Sequence, residues 1–92
     1  MVVMIFEKTT PSIRGKLSMW FLEIKTGVFV GHVSATVRDK LWEWASSQKK
    51  LGGCIQVFPA VNEQHFSIRQ TGESSRKIFW EEGLFLVAKI KD

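Results

Sequence analysis

The chain has a single cysteine, Cys54, among its 92 residues. A lone cysteine closes no internal disulfide, which suits a reducing cytoplasm. Cys54 opens the apolar run CIQVF, so a small buried hydrophobe is expected there. No stretch approaches the roughly 20 apolar residues that cross a membrane. Met1 to Phe6 has neither the basic start nor the length of a secretory signal. The expectation is a cytoplasmic protein with no membrane partner. His32 and His65 stand far from each other and from Cys54, so no zinc-ligand spacing exists. No Ser-His-acid arrangement, internal repeat, linker or low-complexity segment is present. GKLS at Gly15 to Ser18 lacks the preceding glycine of a phosphate loop.

What the chain does have is hydrophobic content, 45%, and a net charge of +4. The first implies one globular domain over residues 1–92. A domain this small buries a modest share of its surface, so self-association would help it. The second favours an acidic partner, nucleic acid being the commonest.

Val2 to Phe6 is a continuous apolar run with β-branched members, a strand expected in the middle of a sheet. Thr10 is a plausible N-cap before Pro11. Ile13, Leu17, Trp20, Phe21 and Ile24 recur at helical spacing, which predicts one long helix stopped by Gly27. VFVGHV predicts a short strand. Ser34 then caps a second helix with Val37, Leu41, Trp44 and Ala45 on its inner face, ended by Gly52 and Gly53. CIQVFPAV and HFSIRQTG predict a hairpin, with Pro59 marking an edge strand or a bulge. ESSRKIFWEEG reads as polar and irregular, and LFLVAKI as a last strand. The order predicts an α/β (α+β) two-layer sandwich of ferredoxin-like type, two helices on an antiparallel sheet plus a C-terminal strand. It requires one further short strand, expected near His32 and Val33.

Lys8, Arg14, Lys16, Arg38, Lys40, Arg76 and Lys77 fall in loops or first turns of helices. First turns ordinarily favour acids, because the helix dipole is positive there, so Arg14 and Arg38 cost a little stability. A bound phosphate backbone would explain them. Glu7 follows the first strand directly. A carboxylate there suits Mg²⁺ held with waters and substrate phosphates, but only two copies of Glu7 would make a two-metal site. Trp20 and Trp44 are expected in the core, while Trp42 and Trp80 are candidate interface anchors. No strand carries an RNA-recognition aromatic signature.

The stretch RGKLSMWFLEIKTGVFVGHVSATVRDKLWE, Arg14 to Glu43, resembles the type I-E branch of the CRISPR-associated protein two family, the small subunit of spacer acquisition. FSIRQTG and the later SRK extend the likeness over nearly the whole chain. The resemblance implies a ferredoxin-like homodimer that bridges two dimers of the CRISPR integrase. It would hold the double-stranded DNA protospacer for insertion into the array. Arg14, Lys16, Arg76 and Lys77 match DNA-contacting positions of that branch. Ser12 and Thr36 stand where relatives carry charge, and Arg38 is placed to compensate. Other branches are described as Mg²⁺-dependent endonucleases of RNA or duplex DNA that use an aspartate after the first strand. Here that position is Glu7, so the alternative is a nuclease of paired Glu7 residues, with Mg²⁺ as cofactor only in that case. Within Leu84 to Asp92, the apolar residues Leu84, Phe85, Leu86, Val87 and Ile90 are expected to bind a partner. An unpaired apolar strand would otherwise invite aggregation, so it is predicted to join a sheet edge of the second subunit or the integrase.

Overall fold

The structure is a computed structural model. It describes residues 1–48 and 52–72 in full, and Arg76–Glu81 and Leu84–Lys89 by their backbones. The elements run β1 (Val2–Phe6), α1 (Pro11–Leu17), β2 (Phe21–Lys25), β3 (Val28–Gly31), α2 (Ala35–Ser46), β4 (Gly53–Pro59), β5 (Phe66–Gly72), β6 (Arg76–Glu81) and β7 (Leu84–Lys89). Five strands form an antiparallel sheet in the order β2-β3-β1-β4-β5, and β6 pairs with β7 separately. Two helices on an antiparallel sheet in this order are the ferredoxin-like α+β arrangement.

Both predicted caps are made. The hydroxyl of Thr10 accepts from the Ile13 N–H at 3.3 Å, and that of Ser34 from the Val37 N–H at 3.2 Å. The first helix, however, is half the expected length. It ends at Leu17, and FLEIK forms the extra strand that the topology needed, not His32 and Val33. Gly15 in the helix interior weakens it by about 1 kcal/mol relative to alanine. The Ser18 hydroxyl also donates to the Gly15 carbonyl at 2.9 Å, closing the helix one residue past Leu17. Gly27 is therefore a hairpin residue and not a helix stop. It sits at φ +80°, its N–H donates to the Glu23 carboxylate, and its carbonyl accepts from Phe6 N–H at 2.8 Å.

The core lies between the helices and one face of the sheet. Met4, Phe6 and Phe29 from the strands meet Ile13 and Leu17 of α1 and Leu41 and Ala45 of α2. Phe6 and Phe29 cross edge to face with centroids 5.6 Å apart, a favoured aromatic geometry. Cys54 is buried as expected, and burial pushes its thiol up to about 12. Two expected core residues are outside it. Ile24, at a bulge in the β2–β3 pairing, is 61% exposed, and Trp20 is 40% exposed. Both follow from the early helix end, since a strand does not continue the helical stripe.

Pro59 is neither at a sheet edge nor at a bulge: β4 lies between β1 and β5, and Pro59 closes it, opposite Phe66. RKIFWE, read as irregular, is strand β6, paired in register with the expected strand β7. No helix among the described residues is long and apolar enough to cross a membrane.

Candidate nucleic-acid interface

Arg14 and Lys16 project from α1 and are exposed. Because α1 has seven residues, both lie in its last turn, where the dipole favours cations. Arg14 is the middle residue of the helix, the fourth from either end, so the dipole penalty expected there is offset. Arg14 is instead placed by β2: its Nε donates to both carboxylate oxygens of Glu23, at 3.2 and 3.3 Å. Glu23 is held in turn by the Gly27 N–H at 3.0 Å. The hairpin turn thus fixes the carboxylate, the carboxylate holds the guanidinium by its Nε, and among the described residues the two terminal nitrogens of Arg14 make no hydrogen bond. The Lys16 ammonium lies 4.8 Å over the Trp44 ring of α2.

Arg38 lies in the first turn of α2 and is oriented in the same way. Its Nε donates to Asp39 at 3.0 Å, and its guanidinium stacks 4.2 Å from the centre of the Phe58 ring. A fourth cation, Arg69 on β5, was not singled out from the sequence. It sits over Phe58 and Trp42, donates to the Gln56 side chain at 2.7 Å and ion-pairs with Asp39. Gln56 is fully buried and satisfied at both ends, since its amide also donates to the Arg38 carbonyl at 3.1 Å. Nothing in the local pattern QTG marks Arg69. Its partners are 11 to 30 positions away and meet it only through the β4–β5 register, where Gln56 lies opposite Arg69.

Arg76 and Lys77 open β6, opposite Lys89 and Ala88. Their side chains, and those of Trp80, Leu84, Phe85, Leu86 and Val87, lie outside the described residues, as does all of Ile90. Glu7 is exposed at the end of β1, its N–H bonded to the Gly53 carbonyl at 3.0 Å. Among the described residues no three His, Cys, Asp or Glu side chains gather as a metal site. Among the described residues, therefore, no set of three such donors is built around Glu7.

The two carboxylates of the cationic surface are acidified. The Gly27 N–H foremost, and then Arg14, hold Glu23 below its usual range; Arg69 and then Arg38 do so for Asp39. A lowered folded-state value means that the ionised form is favoured by folding. The resulting stabilisation is complete above the ordinary carboxylate range near about 4 and is lost as pH falls through the folded values. Thermal melts are thus expected to be flat from neutral pH down to about 5 and to fall below about 4. A Glu23→Gln variant should show a shallower fall.

Residues 1–86 match the family described as CRISPR-associated protein (Cas_Cas2CT1978). The chain belongs to this Cas2-like family. A CRISPR-related role in defence follows from that membership, and the cationic side chains and Glu7 all lie within the matched residues, as do the β6 and β7 strands as far as Leu86.

Proposed function

We propose that the chain is a DNA-binding scaffold of CRISPR adaptation, of the type I-E branch. In this reading a homodimer bridges integrase dimers and holds the protospacer duplex across its basic surface until insertion into the array. The observation that carries it is the Arg14–Glu23–Gly27 arrangement. A guanidinium held by its Nε keeps its two terminal nitrogens available as donors, and such a fork suits a phosphate. Its side chain is 45% exposed, against 19% for Arg38, so Arg14 and Lys16 are the stronger contacts and Arg38 the weaker. Arg76 and Lys77 would extend the surface from β6.

The sheet supports self-association. Both helices cover one face, and the register puts Val3, Ile5, Leu22, Val30, Ile55 and Val57 on the other. Leu22 is 70% exposed and the rest are half-buried. An apolar sheet face of this kind favours a second copy as its cover. Leu84, Phe85, Leu86, Val87 and Ile90 would bind the second subunit or the integrase.

Duplex binding measured across a salt series tests the reading. Affinity should fall steeply with salt, by a slope of about 0.9 per phosphate contacted. Affinity independent of salt, or absent, would sink it.

A second reading rests on the exposed Glu7 at the strand end. A nuclease there would need Mg²⁺ and, for a two-metal site, Glu7 from two chains. Pure protein incubated with Mg²⁺ and labelled RNA or duplex DNA is expected to leave both intact. Cleavage abolished by Glu7→Ala would establish the nuclease instead.

A further inference from the structure

A groove of about 220 Å³ opens between the end of α1 and the flank of α2 beside the core, lined by Lys16, Trp20, Val37, Lys40 and Leu41. Val37, Lys40 and Leu41 share one face of α2, at i, i+3 and i+4. Trp20 closes the other side from the turn after α1. That turn is fixed, since Trp20 N–H donates to the Leu17 carbonyl at 3.0 Å and Ser18 N–H to that of Arg14 at 2.9 Å. The groove exists because the helix stops early. A longer α1 would have carried Trp20 into the core; as it is, the indole stands 40% exposed beside Met19, which is 71% exposed.

Its chemistry is specific. The floor is apolar, and the rim holds two ammonium groups and no carboxylate. Among the described residues neither Lys40 nor Lys16 makes an ion pair, and the Lys16 ammonium lies over the Trp44 ring. The volume is below the roughly 300 Å³ at which small-molecule sites begin, and suits one large side chain. A phosphate has nothing to gain from tryptophan, valine and leucine. An apolar side chain flanked by carboxylates satisfies both the floor and the rim, and tryptophan is a frequent anchor of such contacts.

We infer that this groove docks an acidic peptide segment of a partner protein, a large apolar residue filling the space over Trp20 and flanking Glu or Asp residues pairing with Lys16 and Lys40. The site is separate from the duplex surface except for Lys16, so Trp20 and Lys40 discriminate it.

The probe is a fluorescein-labelled peptide with a central phenylalanine between paired glutamates, titrated by anisotropy into the DNA-free protein. Saturable binding is expected below about 1 mM. It should weaken at least about tenfold in Trp20→Ala and in Lys40→Glu, the value of one anchor or one charge pair. A peptide with lysines in place of the glutamates should bind Lys40→Glu better than it binds the parent protein. Circular dichroism melts check that both variants remain folded, and duplex binding by Trp20→Ala should be unchanged. No saturable binding, equal binding by Trp20→Ala, or equal binding of a peptide with serine for phenylalanine would overturn the proposal. So would a single-stranded oligonucleotide whose binding is lost in Trp20→Ala while that of the peptide is kept, which would make the occupant a nucleobase.

Discussion

Duplex DNA binding by an Arg14→Ala/Lys16→Ala variant is expected to fall at least about tenfold at low salt. Hydrogen bonds to charged groups are worth about 1.5–3 kcal/mol, and 1.4 kcal/mol is a factor of ten. The diagnostic quantity is the salt slope, which should become shallower by about 1.8 if each residue neutralises one phosphate. Glu23→Ala gives a smaller loss by a different route. It leaves the charge of Arg14 in place but frees the guanidinium that the Glu23 carboxylate now holds at 3.2 Å. Its affinity should drop while the slope does not become shallower, because a net negative charge has been removed. If the double variant bound duplex with unchanged affinity and slope, the DNA surface would have to lie elsewhere on the molecule.

The second large effect concerns two glycines that look alike in the sequence. Gly27→Ala is expected to lower stability by at least about 2 kcal/mol. An L-residue in the left-handed region costs about 1–2 kcal/mol. The added Cβ would also fall 2.5 Å from the Phe6 carbonyl oxygen, a backbone atom that cannot move without disturbing β1. For a domain of this size each kcal/mol shifts the melting midpoint by about 4–8 °C, so a drop of 8 °C or more is expected. Gly15→Ala should do the opposite. Its Cβ would meet nothing within 4 Å, and it lies in a helix interior, where alanine is favoured by about 1 kcal/mol. A midpoint raised by a few degrees in Gly15→Ala would place that residue in a helix interior, and a drop of about 8 °C or more in Gly27→Ala would identify the hairpin. A long helix reaching Ile24 would place Gly27 at a helix end and leave Gly15 in its middle. It would predict only a mild loss at Gly27.

How far the fold can be read from the chain differs from segment to segment. VVMIF has no helical reading, and it is a central strand. Ser34 followed by Val37, Leu41 and Ala45 predicts α2, and α2 forms with that cap. The hairpin of β4 and β5 needs only two alternating runs and a turn. In IRGKLSMWFLEI two periodicities overlap. Ile13, Leu17 and Phe21 fit a helix, and Phe21, Leu22 and Ile24 fit a strand as well. Backbone pairing with β3 decides between them, and the partner strand begins only at Val28. Gly15 was the one local warning, because it weakens a helix just where this one is short. β6 is similar: its charged ends hid a strand whose existence depends on β7.

The candidate site divides in the same way. Its cations are legible as residues, since first turns and loops are exposed whatever the packing. Their orientation is not, because Glu23, Gly27, Asp39 and Phe58 reach them through strand register. By itself the sequence determined the charge, the caps, the central strand and the family resemblance. These depend on residue type and on spacing within one element. Only the tertiary structure decided where α1 stops, which guanidiniums are held and by what, and that Trp20 faces a groove instead of the core. Each of these depends on contacts between elements, where the free energy of pairing and burial outweighs the few tenths of a kcal/mol that local propensity supplies per residue.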